Sequence, residues 1–125
     1  MNNDYGNELI VTIVKRGWSE PVLAAARQAG AEGGTILLGR GTGIHEVKTL
    51  FGIAIEPEKE IILTVVAVQQ TDRVLDAIVA AAELDQPGMG LAFVMPIRRV
   101  AGRVHMFRTG ETGEHEGPEV HRAPV

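Results

Sequence analysis

The sequence contains no cysteine, so disulfide bonds, thiolate nucleophiles and thiolate-bound zinc are all excluded. It also has no excess of basic residues, because 16 Asp and Glu against 12 Lys and Arg give a formal net charge of −4. Proteins that bind nucleic acid gain much of their affinity by neutralising phosphates. Nucleic acid is therefore not a predicted partner.

Long apolar runs are missing as well. No run reaches the roughly 18 residues that a membrane-spanning helix needs. The first eight residues, which include Asp4 and Glu8, lack the basic-then-apolar pattern of a secretion signal. The sequence therefore predicts a cytoplasmic protein without membrane insertion. Its 125 residues, 45% of them hydrophobic, suit one globular domain.

The chain contains an internal repeat. Moving the sequence by 52 positions (61 minus 9) places residues 9–14 on residues 61–66, and Ser19-Glu20 on Thr71-Asp72. In each copy a β-branched run predicts a buried strand, a Ser or Thr followed by an acid predicts a helix N-cap, and an Ala-rich segment continues the helix. We expect the helices at about residues 20–29 and 72–84.

A further apolar run follows each predicted helix, at residues 35–38 and 91–95. The order is βαββαβ, which predicts an α+β ferredoxin-like fold: an antiparallel four-stranded sheet with two helices on one face. This domain is predicted for residues 1–104. Residues 105–125, rich in Gly, Glu, His and Pro, are predicted to form a C-terminal loop and a flexible tail.

The predicted strands are apolar at successive positions rather than at alternate ones, which indicates that both faces of the sheet are covered. The two helices can cover only one face. A second copy of the chain is an economical cover for the other, so the pattern predicts a homo-oligomer. The alternative is that some β-branched side chains simply face solvent.

Glycines cluster where the predicted strands meet loops, in residues 33–34, 39–43 and 88–90. A glycine lets backbone N–H groups approach a phosphate closely. Each of these glycines could equally serve a turn with positive φ. Taken one at a time, the clusters therefore leave phosphate binding and turn formation open.

The first of these regions, residues 33–43, resembles the PII segment G-x-T-x-x-x-x-K-G-x-G, with Arg40 in place of the lysine. Residues 88–96 resemble the PII stretch G-D-G-K-I-F-V-x-P, and residues 108–111 match its R-T-G-E. The chain is therefore similar to the PII-like signal transduction family over about residues 8–113.

This resemblance implies a homotrimer that binds an adenine nucleotide (AMP, ADP, ATP or cyclic AMP) in the clefts between subunits. It also implies that residues 41–57 or so form a T-loop, which regulates a membrane transporter or a metabolic enzyme. The candidate nucleotide-binding residues are Thr35, Arg40, Gly41, Thr42, Gly43, Gly88, Met89, Gly90, Leu91, Arg99, Arg103 and Arg108.

The chain lacks cationic residues at several positions where the family pattern has them. Leu91 stands at the phosphate-binding lysine, and Ile44-His45 stands where Arg-Gln follows G-x-G. Arg108 lies further along the chain than the family spacing, so Arg98, Arg99 and Arg103 are candidate substitutes. Fewer cations favour a nucleotide with fewer phosphates, such as AMP or ADP.

Two other classes of function remain open. One is a trimeric structural or metal-tolerance protein of the same fold that binds no nucleotide. The other is a small ferredoxin-like enzyme, but the sequence shows no nucleophile with a base and an orienting group, so no enzymatic activity is predicted. His105, His115 and His121 could suggest a metal, yet a flexible tail does not preorganise a site, and no metal site is predicted there. His45 lies beside Glu46 in the T-loop that the resemblance implies, where it could be a metal ligand or a pH-sensitive contact, but a solvated loop histidine is the favoured interpretation.

Overall fold

The computed structural model describes residues 6–43 and 48–102. Its elements in chain order are β1 (Asn7–Lys15), α1 (Ser19–Gln28), β2 (Thr35–Arg40), β3 (Lys48–Leu50), β4 (Ile53–Ile55), β5 (Glu58–Ala67), a 3-10 turn (Val68–Gln70), α2 (Thr71–Ala82) and β6 (Gly90–Ile97). The domain boundary predicted near residue 104 and the predicted tail of residues 105–125 lie outside the described residues.

Four strands form one antiparallel sheet in the order β2-β5-β1-β6. The two central strands, β1 and β5, are the matching first strands of the two repeats. Strands β3 and β4 form a separate two-stranded sheet within the connection from β2 to β5. The predicted α+β order βαββαβ is confirmed, with a small hairpin that the sequence did not predict. The trimer stays a prediction.

The core lies between the sheet and the two helices. Ile10 and Val14 of β1 and Ile62 and Val66 of β5 occupy alternate positions that face the helices, and they are buried. The helices pack against each other and against this face. They contribute the buried residues Val22, Ala26, Val74, Ile78 and Ala82.

Both helices begin at the residue that was predicted to cap them. Ser19 and Thr71 are the first helical residues, and neither helix has a side-chain cap of its own, so the two predicted N-caps are wrong. The Thr71 hydroxyl instead donates back to the Ala67 carbonyl oxygen at 3.4 Å. The helix ends, Gln28 and Ala82, fall within two residues of the predicted ones.

The second face of the sheet is apolar and uncovered by the described chain. Leu37 of β2 and Leu91, Phe93 and Met95 of β6 lie on it, and their exposed fractions are between 40% and 52%. Central strands add further apolar side chains, so the face is continuous from one sheet edge to the other. A face of this kind marks an interaction surface. Among the described residues, no helix is long and apolar enough to cross a membrane.

Candidate functional site

The first candidate segment lies at the C-terminal end of β2, where the chain enters the long connection to β5. The Gly41 N–H donates to the Pro57 carbonyl oxygen at 3.1 Å and closes the foot of this connection. A Cβ on Gly41 would meet nothing within 4 Å, and its φ is not in the left-handed region. Gly41 therefore offers open space beside the strand end, while its N–H is already engaged.

Arg40, the last residue of β2, is exposed at this strand end, and Thr42 and Gly43 are exposed next to it. Arg40 lies opposite Glu58 in the β2–β5 register. The Glu58 carboxylate forms an ion pair with Arg16, the residue that follows β1. Arg40 is thus a cation at the foot of the loop that can meet an anionic ligand.

Glu60, the third residue of β5, fixes the corner between β1 and α1. Its Oε1 accepts the Ser19 N–H at 3.0 Å. The hydrogen bond from the Ser19 hydroxyl is the main cause that lowers the pKa of Glu60, which burial opposes. The backbone N–H groups of Ser19 and Gly17 and the charge of Arg16 lower the pKa further. A carboxylate of the chain itself therefore occupies the α1 N-terminus.

The second candidate segment, residues 88–91, leads into β6. Gly88 adopts a φ of 81° with open space around its Cα, so it serves a turn. Gly90 adopts a φ of 135°, and a Cβ there would clash with the Ile13 carbonyl oxygen of β1. Glycine at position 90 is therefore required by strand pairing. Met89 is half-buried and Leu91 is exposed.

The two segments lie at the same end of the sheet but at opposite edges. In the register, Gly90 of β6 pairs with Val14 of β1, Val14 with Glu60 of β5, and Glu60 with Leu38 of β2. Three strand spacings of about 4.8 Å separate β2 from β6, roughly 14 Å in all. One chain therefore does not bring its two glycine segments onto one phosphate.

The remaining candidates are spread further apart. Thr35 begins β2 and lies about 17 Å from Arg40, at about 3.4 Å for each of five residues. Arg99 follows β6 and lies at the sheet end opposite to Gly90. Arg103 and Arg108 lie outside the described residues.

The chain matches a protein-family model, described as Nitrogen regulatory protein P-II, over residues 7–111. It belongs to the P-II family. Proteins of this family are regulators without enzymatic activity, so the chain has a signalling or regulatory role. The resemblance that its sequence shows to PII proteins is confirmed, and so is the prediction that it is not an enzyme. No curated protein matches the chain.

The described part of this P-II chain contains no group of three or more Asp, Glu or His residues that could hold a metal ion. His45, His105, His115 and His121 lie outside that part.

Sequence reasoning missed two features of this P-II protein. One is the role of Glu60, for which no local signal exists because its partner Ser19 lies 41 positions away. The other is the β3–β4 hairpin, whose turn contains Phe51 and Gly52. An aromatic residue before a glycine, between short apolar runs, is a signal that could have indicated it.

Proposed function

We propose that this P-II protein is a homotrimeric sensor that binds an adenine nucleotide in clefts between its subunits. The position of the two glycine segments supports the proposal best. They share one end of the sheet but lie on its opposite edges, about 14 Å apart. A neighbouring copy that sets its β6 edge beside the β2 edge of the first would place both segments around one ligand.

The apolar second face of the sheet supports the assembly. Leaving Leu37, Leu91, Phe93 and Met95 in water is unfavourable, and a second copy offers a matching apolar surface. Soluble homo-oligomers close by rotational symmetry, and a contact between two different edges of the same chain is heterologous. Such a contact generates a closed ring of subunits when the rotation between neighbours closes, and the proposal is a ring of three copies.

The spread of the candidate residues along β2 supports an elongated ligand. Thr35 lies at one end of the strand, while Arg40 and Gly41 lie at the other. In the proposal the adenine end lies toward Thr35 and the phosphate end lies at the loop foot. The other contacts come from Thr42, Gly43, Gly88, Met89, Gly90 and Leu91, and the phosphate cations from Arg103 and Arg108. Arg99 follows the far end of β6 and so lies toward the adenine end.

The chemistry of position 91 favours a nucleotide with few phosphates. Leu91 is apolar and exposed at the start of β6, where a cation would be needed to balance a triphosphate. We therefore expect AMP or ADP to bind more tightly than ATP. In this proposal the T-loop, residues 41–57, carries the signal to a membrane transporter or a metabolic enzyme, and the protein acts in the cytoplasm as a domain of residues 1–104 with a tail of residues 105–125.

Calorimetric titration of the purified chain with AMP, ADP, ATP and cyclic AMP tests the proposal, together with light scattering for the assembly. We expect three chains per particle and tightest binding of AMP or ADP. A thermal-shift series separates the alternative of a structural or metal-tolerance trimer, since a ligand raises the melting temperature of the state that it binds. Divalent metal that raises it while every nucleotide fails would favour that alternative.

A further inference from the structure

The β3–β4 hairpin carries a group of exposed apolar side chains that the proposed nucleotide cleft does not use. We call Phe51, Ile53 and Ile55 the apolar tip; their exposed fractions are 93%, 66% and 43%. Ile53 and Ile55 are two positions apart on β4 and so lie on one face of the hairpin. Within the described residues, β3 and β4 pair only with each other. The tip is therefore presented by a separate small sheet.

The turn of this hairpin holds Phe51 in an unfavourable backbone conformation. Phe51 and Gly52 have φ values of 54° and 80°, the positive pair of a type I′ turn. Glycine is well suited to its position, whereas a bulky residue with positive φ is uncommon. The side chain is 93% exposed, so burial offsets little of the cost of this conformation. A side chain that is both strained and unpacked indicates a role in contacting another molecule.

We propose that Phe51 is the anchor by which this chain binds its regulated partner, inserting its ring into an apolar pocket of that protein while Ile53 and Ile55 contact the pocket edge. The inference rests on the proposed function, because it assigns a contact chemistry to the T-loop. Aromatic anchors in desolvated pockets supply much of the affinity of protein interfaces. A rigid ring also gives a large contact area at a low cost in conformational entropy.

Charge favours a protein pocket over a membrane surface. The chain has a net charge of −4, the exposed Glu56 directly follows Ile55, and Lys48 lies opposite Ile55 in the hairpin register. Cytoplasmic membrane surfaces are anionic and attract polybasic segments, whereas β3 and β4 carry one lysine and are followed by a carboxylate, so this hairpin lacks the charge that lipid binding needs. The same carboxylate is complementary to a pocket that has basic residues at its rim.

The foot of the hairpin is held in a way that suits an anchor. The Gly41–Pro57 backbone hydrogen bond joins the two ends of the connection, and the Arg16–Glu58 ion pair ties its second end to β1. A contact residue on a connection with fixed ends loses less entropy when it binds. A second copy of the chain is the less suitable occupant, because the proposed trimer already uses the open sheet face.

Site-specific photo-cross-linking identifies the partner. Benzoylphenylalanine is placed at position 51 of the full chain in its native cells, and at Val68, which is 37% exposed on the 3-10 turn, as the matched position. We expect a protein adduct from position 51 that is absent from position 68. An adduct with lipid or with a second copy of the chain, or no adduct, overturns the proposal.

The partner protein that cross-linking identifies is then purified without the cross-link and titrated with the wild-type chain and with its Phe51→Asn and Val68→Ser variants. Asparagine followed by Gly52 favours the type I′ turn, so this variant keeps the hairpin and removes only the ring. We expect Phe51→Asn to weaken binding by about tenfold or more and Val68→Ser to leave it within about twofold. Equal affinities of wild type and Phe51→Asn overturn the anchor role.

Titration of the same variants with AMP and ADP separates this inference from the proposed function. Phe51→Asn should bind nucleotide as wild type does, because Phe51 is not among the residues proposed to bind the nucleotide. Failure of wild type itself to bind nucleotide overturns the cleft. The titration with the partner protein tests the anchor role of Phe51 independently of the nucleotide result.

Discussion

The Glu60 carboxylate accepts the backbone N–H of Ser19 at 3.0 Å, so a strand residue 41 positions later in the chain caps α1. Negative charge at a helix N-terminus interacts favourably with the helix dipole and with N–H groups that lack helical partners. Glu60 also lies next to the loop foot that Glu58 and Arg16 tie to β1. One short stretch of β5 thus fixes both the α1 corner and the C-terminal end of the connection from β2 to β5.

Replacing Glu60 with Gln should lower stability at neutral pH and not at acid pH. The hydrogen bond from the Ser19 hydroxyl holds the pKa of Glu60 below its ordinary value of 4.5 in the folded chain. The backbone N–H groups of Ser19 and Gly17 and the charge of Arg16 lower this pKa further. A lowered pKa stabilises the fold above the pKa of the unfolded chain, and that stability is lost as pH falls through the folded pKa. We expect Glu60→Gln to reduce the free energy of unfolding by about 0.3–1 kcal/mol at pH 7.

Urea denaturation at pH 7 and pH 3 measures this difference. The matched control is Glu56→Gln, which removes an exposed carboxylate two positions before β5 begins. The control should change stability little at either pH. A loss at pH 7 that persists unchanged at pH 3 would show that the carboxylate charge is not the cause.

Two buried threonines should tolerate the loss of their hydroxyls. Thr12 and Thr64 are fully buried on the helix-facing side of the sheet, at equivalent positions of the two repeats, and neither Oγ1 has a hydrogen-bond partner within residues 6–43 and 48–102. A buried polar group without a partner costs about 1–3 kcal/mol, and valine has nearly the same shape. We expect Thr12→Val and Thr64→Val to leave the free energy of unfolding unchanged or to raise it.

Thr71→Val is the matched control, because the Thr71 hydroxyl is also buried but donates to the Ala67 carbonyl oxygen. It should lose about 0.5–1.5 kcal/mol, the net worth of one hydrogen bond. Thermal and urea unfolding of the three variants provide the comparison. Equal losses in all three would mean that Thr12 and Thr64 have partners in solution.

The parts of this fold that could be predicted from the sequence are those that local residue patterns determine. The repeat placed β1 and β5 correctly, and the Ala-rich segments gave both helices within two residues of their ends. Both predicted N-caps were wrong. At Ser19 a carboxylate from a distant strand takes the place of the local hydroxyl, and the Thr71 hydroxyl donates to the Ala67 carbonyl oxygen instead. The candidate site could be predicted as segments but not as a cleft, since Gly41 and Gly90 lie on opposite sheet edges and meet only if a second chain joins them.

The glycines of the candidate site should separate into structural and ligand-facing positions. Gly90→Ala should cost about 2 kcal/mol or more, because the added Cβ clashes with the Ile13 carbonyl oxygen and the φ of 135° is strained. Gly41→Ala should stay within about 0.5 kcal/mol of wild type, since open space surrounds its Cα. The affinity of the Gly41→Ala protein for nucleotide should nevertheless fall, because the added methyl group fills space that the ligand is proposed to occupy.

Unfolding curves and calorimetric titrations with ADP, run on both variants, test this division. A Gly41→Ala protein that is stable and binds ADP like wild type would remove Gly41 from the site. A Gly90→Ala protein as stable as wild type would show that the β1–β6 pairing adjusts to a side chain.

A charge on the open sheet face should break the proposed trimer while leaving the fold of each chain intact. Phe93 points away from the helices and is 40% exposed, so Phe93→Glu removes no contact from the core between the sheet and the helices. In an assembly that covers this face, the carboxylate would be buried without a partner, which costs several kcal/mol. We expect light scattering to give monomers for Phe93→Glu, with the helical circular dichroism of wild type.

Val68→Glu is the matched control, because Val68 has a similar exposed fraction of 37% but lies on the 3-10 turn before α2. It should keep the particle mass of wild type. Because the nucleotide cleft is proposed to need two chains, the Phe93→Glu monomer should also lose ADP binding. A monomer that still binds ADP with wild-type affinity would place the ligand within one chain and contradict the cleft between subunits.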